Sequence, residues 1–459
     1  MESQFVPTLA KFAAEVNVEQ LPSQVVEKAK ICIIDAVANA FAGHQTGISQ
    51  MLHKALPLSD TGSQLATTWV EGGKTNYFYA AVHNCMLVHN MIHDDMNESC
   101  RGHIGNLVVP SVLAMSEVFG SSGKDILAAI VAGYEVIGRI AGPAVAYSVE
   151  NGFRGTSTYG PFGVAAAAGR LLGHDSDKLA NTISCAASFS SGLLEPFDNG
   201  SMEWKLQNGM ALIGGIMAAT TAGAGFKSST TAVAGDSGFL KAFCGIGAIK
   251  NIRQAWADSL PTLGQEFEIT KTYFKPYATC GYNQVSCDIL LKLLKLNDIK
   301  PEQVEKVNVK VSSDNISYPG VAHKGPFNSI DEALLSKPFT VGAAIVFGGL
   351  QVETYIQGLK DPELARIAKA VNMEGVESYS ALETQIDIIT KDGKNYSGDA
   401  SMADLGQFFP DKDMMTEKLD MMAGKFLSKK RQNRILEEIA KLEKKETASE
   451  LISLLTRDK

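Results

Sequence analysis

The residues with the clearest chemical potential in this sequence lie in the segment 92–105, where Asp94, Asp95, Arg101 and His103 precede an apolar run. Buried carboxylates and imidazoles cost free energy unless they are paired or hydrogen-bonded, so several of them beside an apolar segment favour a functional site. An imidazole titrates near neutral pH, which makes His103 a candidate acid or base. Asp94 or Asp95 could orient its ring and fix its tautomer. The alternative is a solvated loop that caps the following helix.

A second polar cluster spans residues 152–160 and combines Arg154 with hydroxyl side chains and glycines. We expect a helix to begin near Pro161, directly after this loop. The free N–H groups of a helix start, together with a guanidinium, suit a carboxylate or a phosphate. An ordinary capped helix start is the alternative interpretation.

Two lysines stand in unusual surroundings. Lys205 lies between two glycine-flanked polar stretches in the segment 198–209, and Lys275 lies among aromatic residues in the segment 273–283. A lysine in an apolar setting loses proton affinity unless an anion restores it, which produces a substrate-binding or proton-donating group. A lysine that extends along the surface to reach water is the simpler explanation.

The histidines His83, His89 and His93 have a spacing that could support zinc on a helix, but the sequence has no HExxH motif. Histidines in apolar segments are more often satisfied core residues, so we expect no metal. The sequence also contains no Walker loop, no G-x-S-x-G elbow and no G-x-G-x-x-G after a predicted strand. We therefore expect no nucleotide chemistry, no serine hydrolase chemistry and no cofactor.

The overall composition limits the partners. The 459 residues carry a formal net charge of −8, and this absence of a basic field argues against nucleic acid and membrane surfaces as partners. Seven scattered cysteines indicate reduced thiols in an intracellular compartment. The N-terminal residues Met1 and Glu2 do not open a basic and apolar signal, and each apolar run is interrupted. We expect a cytoplasmic protein with two domains.

Apolar periodicity predicts a mainly α protein. The predicted helices of the first 260 or so residues cover 22–43, 79–91, 107–118, 125–140, 163–172, 178–190 and 208–222. Beyond Pro261, alternation around Val309 and Ile388 predicts strands, with a turn at Asp392–Gly393 and helices over 333–347 and 362–371. Helical patterns return from Asp411, and the basic stretch 425–434 is predicted to be a solvated helix face.

Five segments, in the same order along the chain, resemble the MmgE/PrpD family: 21–35, 94–110, 160–173, 205–209 and 275–280. That family includes 2-methylcitrate dehydratases, cis-aconitate decarboxylases and iminodisuccinate epimerases. The resemblance implies a large helical domain built from residues 1–269 and 400–459, with a smaller α+β lid, 270–399, inserted between them. It also implies a homodimer and a cleft that needs no metal or organic cofactor.

The sequence departs from the usual pattern of the family at several positions. They are Ile92 in place of an Asp, Met96 in place of Thr or Ser, Ile104–Gly105 in place of Pro-Ser, Arg154 and Asn283 in place of His, and Trp204–Lys205 in place of a Lys-Arg pair. The spacer between Asp95 and His103 is more similar to the epimerase branch. The implied fold is insensitive to these departures, whereas the reaction depends on them.

Members of this family act on a carbon acid beside a carboxylate, which requires a base near neutral pKa and fixed positive groups. We therefore expect a cofactor-independent lyase that dehydrates or decarboxylates a small di- or tricarboxylate. The alternatives are an epimerase of a dicarboxylate and a catalytically silent carboxylate-binding homologue. The candidate catalytic residues are His103, Lys275, Asp94 and Asp95, and the candidate substrate-binding residues are Arg101, Arg154, Lys205, Gln207, Tyr277, Cys280 and Gly281.

Overall fold

The computed structural model of the chain describes residues 4–59 and 61–458 and confirms the mainly α fold. Met1 and Glu2, on which the expectation about a secretion signal partly depends, lie outside the described residues. The elements of the N-terminal region are α1 (Phe5–Glu15), α2 (Ser23–His44), α3 (Ile48–Ala55), β1 (Leu65–Thr67), β2 (Lys74–Asn76), α4 (Tyr77–His89), β3 (Met96–Asn97), α5 (Gly105–Phe119), α6 (Gly123–Ala141), α7 (Val145–Glu150), α8 (Gly155–Leu171), α9 (Ser176–Ala186), α10 (Glu195–Asn199), α11 (Glu203–Gly223), α12 (Phe239–Cys244) and α13 (Ile249–Ser259).

The helices that periodicity predicts in this region are present, but two starts were predicted too late: α11 begins at Glu203 and not at residue 208, and α8 also begins earlier. Helix α8 begins at Gly155 and continues through Pro161, where we had expected it to start. Proline lacks an N–H, so the carbonyl of Ser157, four residues earlier, does not receive the hydrogen bond that it would accept in an uninterrupted helix. The alanine run 165–168 that follows the proline is buried, so the helix continues inside the core. The short antiparallel pair β1–β2 was not predicted.

Small residues let the central helices approach closely. Helix α8 packs against α6 and α11, and α4 packs against α2 and α5. A Cβ added at Gly215 would lie only 2.5 Å from the Cβ of Val164, so α11 can contact α8 at this distance only with glycine there. The close packing brings the ends of α4, α5, α8 and α11 to one place.

The C-terminal region adds a small mixed sheet. Its elements are β4 (Thr272–Tyr273), α14 (Gln284–Asn297), β5 (Val304–Ser312), α15 (Ser313–Ser317), α16 (Ile330–Leu335), α17 (Lys337–Phe347), α18 (Val352–Gly358), α19 (Pro362–Ala370), β6 (Val371–Val376), β7 (Thr384–Thr390), β8 (Asn395–Ala400), α20 (Lys412–Ala423), α21 (Lys429–Ala440) and α22 (Ser449–Leu454). The sheet order is β6-β5-β7-β8, with β5 and β6 parallel and the other pairs antiparallel.

The predicted strands β5 and β7 are confirmed, and the turn at Asp392–Gly393 joins β7 to β8. The single helix predicted over 333–347 is instead two helices. Ser336 ends α16 and caps α17 by accepting a hydrogen bond from the N–H of Phe339. A serine hydroxyl in this position favours a new helix start over a continuous helix.

The last helices return to the N-terminal helices. Helix α20 packs on α2, and α22 contacts α5. Within the basic stretch 425–434, helix begins only at Lys429, and the residues before it form a connection. The division into 1–269 with 400–459 and an inserted 270–399 stays a prediction.

Among the described residues, no single helix combines enough length with enough apolar character to cross a bilayer. Helices α17 and α18 meet the criterion only as a pair, and they are bent by 99° with respect to each other.

We predict that Gly43→Ala destabilises the protein. A Cβ at Gly43 in α2 would lie 2.0 Å from the carbonyl oxygen of Leu87 in α4. The two helices would have to separate, which should lower the free energy of unfolding by about 1–3 kcal/mol. Urea denaturation measures the change. Gly247→Ala is the matched control, because no atom lies within 4 Å of its added Cβ; equal stability of the two variants would contradict the packing described here.

Candidate active site

Several chain segments meet at the polar cluster around Asp94. His89 ends α4, Asp94 lies in the connection that follows, and His103 stands two residues before α5 begins. Arg154 is the N-cap residue of α8, and the loop after β4 brings Lys275. His103 retains 9% exposure, whereas the other side chains of the cluster are almost fully buried: His89, Asp94, Arg154 and Lys275.

Asp94 is the negative centre of this cluster. The Nδ1 of His89 lies 2.9 Å from Oδ2, and the Nδ2 of Asn106 donates to the same oxygen at 2.8 Å. Burial opposes ionisation, but the rings of His89 and His103 and the ammonium of Lys275 outweigh it and hold the pKa of Asp94 well below its usual value. The carboxylate is therefore ionised at any working pH.

The contacts of His103 fix its tautomer. Its Nδ1 lies 2.8 Å from the backbone carbonyl of Asp95 and 3.4 Å from Oδ1 of Asp94, so Nδ1 carries the proton and donates it. Its backbone N–H donates to the hydroxyl of Thr156 at 3.1 Å. Burial, followed by the nearby charge of Lys275, lowers the pKa of His103 well below 6.5. The ring is a neutral imidazole whose unprotonated Nε2 is free to accept a proton.

Arg154 is held by three acceptors. Its guanidinium donates to the carbonyl of Trp204 at 2.8 Å, to Oδ1 of Asn208 at 2.6 Å and to Nε2 of His89 at 2.6 Å. Burial lowers its pKa to about 10, so it stays cationic at neutral pH. An arginine has five N–H donors, and two of them remain for a ligand.

Lys275 is a fully buried lysine whose ammonium donates to the carbonyl of Ile92. Burial lowers its pKa to about 8, an effect that the charge of Asp94 partly offsets. Lys418, from the distant helix α20, donates to the carbonyl of Lys275 at 3.0 Å and to Oδ1 of Asp35 at 2.6 Å. The C-terminal helices therefore fix the loop that carries Lys275.

Asp95 lies on the side of the cluster that faces the helical core. Its carboxylate accepts hydrogen bonds from the hydroxyl of Tyr134 at 2.5 Å and from the N–H of Gly105 at 2.9 Å. Burial, with the charges of Asp35 and Asp94, raises its pKa. Asp95 thus anchors the start of α5 through its side chain and holds His103 through its carbonyl.

A cavity of about 450 Å³ opens beside this cluster. Of the candidate residues named from sequence, five line it: Arg101, His103, Arg154, Cys280 and Gly281. Gly155 and Thr156, the first residues of α8, also line it, so the positive end of that helix is directed toward the cavity. Tyr282, Tyr318 and two loops beside the small sheet form part of the remaining walls.

Three predicted substrate-binding residues lie elsewhere. Lys205 forms a buried ion pair with Asp331 at 2.8 Å. Gln207 donates to the carbonyl of Leu193 at 3.1 Å, and the hydroxyl of Tyr277 donates to Asp288 at 3.3 Å. None of the three is among the residues that line the cavity within the described part of the chain.

The backbone is strained at two cavity residues. Ile92 has φ of +48° and Arg101 has φ of +46°, values that are unfavourable for residues with a side chain and most of all for a β-branched one. Such strain of about 1–3 kcal/mol persists where surrounding contacts enforce it. At Ile92 the enforcing contact is the bond from Lys275 to its carbonyl.

His83, His89 and His93, whose spacing could support zinc, do not converge on one point among the described residues. His83 stacks on His53, and His93 is buried with its Nε2 unpartnered in the described structure. Instead, ligand atoms of His89, Asp94 and His103 lie within 4.8 Å of one another. These atoms are poor cation ligands, because both Nδ1 atoms already donate protons and because Arg154 and Lys275 place positive charge beside them.

Sequence reasoning missed several residues that hold the cluster together. Asn106 and Asn208 bond to each other at 2.9 Å and connect Asp94 to Arg154. Asn106 follows His103 by three residues, a proximity that could have indicated it. Lys418 has no local signal, because it lies far from the cluster in sequence.

Comparison with known proteins agrees with this architecture. The MmgE/PrpD N-terminal domain model matches residues 7–250, and the C-terminal domain model matches residues 277–444. A protein of Aspergillus terreus (strain NIH 2624 / FGSC A1156) named cis-aconitate decarboxylase is 25% identical over 390 residues, covering 81% of this chain and 78% of the relative. Proteins of the same name from Homo sapiens and Mus musculus are each 24% identical, covering 96% and 83% of this chain and 92% and 78% of the relatives. Because the two domain models together match most of its length, the chain belongs to the MmgE/PrpD family.

Proposed function

We propose that this protein is a cofactor-independent lyase that removes CO2 or water from a small polycarboxylate by moving a proton at a carbon beside a carboxylate. The observation that carries the proposal is the neutral His103, whose Nδ1 is held by the Asp95 carbonyl while the ring lines a cavity that it shares with Arg101 and Arg154. The relatives named cis-aconitate decarboxylase support this class of reaction.

Loss of a proton or of CO2 beside a carboxylate leaves negative charge on oxygen atoms, and fixed positive groups lower the energy of that state. Arg154 has two N–H donors left for this purpose, and the start of α8 adds backbone N–H groups. Arg101 forms no ion pair within the described residues and is available for a second carboxylate.

His103 is the proposed proton acceptor. A low pKa makes an imidazole a weak base, but a bound polyanion beside the ring raises that pKa toward the working pH. In a dehydration, Nε2 takes the carbon-bound proton before hydroxide leaves. In a decarboxylation, the carbon that loses CO2 must gain a proton, which Nε2 of His103 can deliver once the bound polyanion has raised the pKa of the ring and the ring is protonated. Lys275 does not line the cavity in the described structure; its ammonium balances the charge of Asp94 and holds the Ile92 carbonyl.

The direct test is proton NMR in deuterated buffer with citrate, 2-methylcitrate, cis-aconitate, tartrate and iminodisuccinate. We expect loss of CO2 or water from a tricarboxylate by the wild-type protein. His103→Asn should lower the rate at least about a hundredfold, the usual contribution of a general acid or base.

His323→Asn is the matched control, because His323 is an exposed histidine outside the cavity. It should retain the wild-type rate. Full turnover by His103→Asn would contradict the assignment. Solvent exchange with inversion, without loss of water or CO2, would identify an epimerase instead.

We predict that kcat/KM falls as pH rises through about 8. Lys275 has a pKa lowered to about 8 by burial, so its ammonium is present below that pH and is lost above it. This parameter reports the ionisation of the free protein. A pH series of initial rates measures the descending limb.

Lys275→Met should remove this limb as well as lower the rate. Lys337→Met is the matched control, because Lys337 is also buried with a pKa of about 8 but donates to Ser286 and to the carbonyl of Tyr282. That variant should keep the limb. If the descending limb survives in Lys275→Met and disappears in Lys337→Met, the ionisation belongs to Lys337, and the assignment to Lys275 is wrong.

A further inference from the structure

Trp204, on α11, contacts the guanidinium of Arg154 in two ways. Its carbonyl accepts a hydrogen bond from Nη1 at 2.8 Å, and the guanidinium lies over its ring, with Cζ 5.6 Å from the ring centroid. The attraction between an arginine and an aromatic ring is stronger where water is excluded, and Trp204 is fully buried. The ring of His89 meets the indole edge-on at 5.1 Å. The place of this tryptophan therefore decides where Arg154 presents its remaining donors.

Asp331, on α16, fixes the indole of Trp204. The indole N–H donates to Oδ1 of Asp331 at 3.1 Å, and the ammonium of Lys205 pairs with the same oxygen at 2.8 Å. All three residues are buried. An indole N–H only donates and a carboxylate only accepts, so this bond has a single orientation. Removal of the carboxylate would take this acceptor from both the indole and the ammonium in a buried place, which is unfavourable.

The same helix holds a turn in another part of the cavity lining. The carbonyl of Leu334 accepts hydrogen bonds from the N–H of Cys280 at 3.2 Å and from the hydroxyl of Thr279 at 2.9 Å. Cys280 lines the cavity, as does Arg154. Asp331 and Leu334 lie about one turn apart on α16. The position of Arg154 relative to this turn therefore depends on how α16 is attached to α11.

The segment before α11 packs tightly against α16. A Cβ at Gly200 would collide with Cγ of Glu332, so only glycine fits at this contact. Gly200 also has φ of +62°, a value that favours glycine. Its carbonyl accepts a hydrogen bond from the hydroxyl of Ser329 at 3.4 Å. This packing holds Asp331 within reach of the indole.

We propose that Asp331 is a positioning residue for Arg154, which it restrains through Trp204. A carboxylate that enters the cavity then meets a guanidinium that is already in place, so less conformational freedom is lost on binding. The effect on turnover rests on the proposed function, whereas the restraint on the guanidinium does not.

Hydrogen exchange at the guanidinium tests the restraint without any substrate. Nitrogen-15 NMR of arginine-labelled protein follows the exchange of N–H protons with water, and the signal that disappears in Arg154→Lys belongs to Arg154. Asp331→Ala should speed this exchange at least about tenfold, the effect of losing one hydrogen bond to a charged group. Trp204→Phe should also speed it. That variant keeps the backbone carbonyl and the pair between Asp331 and Lys205, so it tests the indole bond without an unpaired buried charge.

Glu135→Gln is the matched control. Glu135 is also a buried carboxylate that pairs with a cation, Arg139, but it is not among the described residues that line the cavity. This variant should leave exchange at Arg154 unchanged. Wild-type exchange at Arg154 in both Asp331→Ala and Trp204→Phe would overturn the proposal. Acceleration of the same size in Glu135→Gln would also overturn it, because a general loss of stability would then explain every variant.

Steady-state kinetics separate a positioning role from a merely structural one. Asp331→Ala should raise KM about tenfold or more, because the carboxylate site is no longer preorganised. A structural defect lowers the amount of active protein, so kcat would fall while KM stayed the same, and that result would overturn the proposal. If the wild-type protein turns over none of the polycarboxylates, the lyase function is wrong, and the exchange measurement alone decides the role of Asp331.

Discussion

The carboxylate of Asp94 is a negative charge that bulk water does not reach, and its neighbours must compensate it. An uncompensated buried charge costs several kcal/mol, so each donor around Asp94 is constrained in position. His89 and Asn106 donate to it, and Lys275 supplies positive charge nearby. These constraints fix both histidine tautomers and, through His89 and Asn106, the orientation of Arg154. The positions of His103 and Arg154 in the cavity wall therefore depend on this single charge.

The fold meets that requirement by joining distant parts of the chain. The residues that compensate Asp94 come from α4, α5, α8, α11 and the loop after β4. Lys418 adds the C-terminal helices, since it bonds to Asp35 in α2 and to the Lys275 carbonyl. Close helix contacts, such as that between Gly43 and Leu87, make this convergence possible. The cluster therefore contributes to the folding of the whole chain as well as to the chemistry.

The sequence predicted the helices and the strands β5 and β7 because apolar residues recur within each of them at the spacing of a helix or of a strand. It also indicated His103 and Arg154, because their types are unusual beside apolar segments. On α11 the sequence indicated the segment that contacts the cluster, but the residues it named there, Lys205 and Gln207, are not the ones that bond to Arg154. The carbonyl of Trp204 and Oδ1 of Asn208 accept hydrogen bonds from Arg154, whereas the ammonium of Lys205 pairs with Asp331. Which face of a helix meets a partner, and which distant residue completes a cluster, depends on packing that no local pattern encodes.

The protonation of His103 tests the central claim most directly. The claim is that burial and the nearby charge of Lys275 keep this ring a neutral imidazole, while the Asp95 carbonyl and Asp94 hold its proton on Nδ1. Nitrogen-15 NMR of histidine-labelled protein, with the signal assigned by comparison with His103→Asn, measures both ring nitrogens. At neutral pH the account predicts a protonated Nδ1 and an unprotonated Nε2. An imidazolium, or a proton on Nε2, at neutral pH would contradict it.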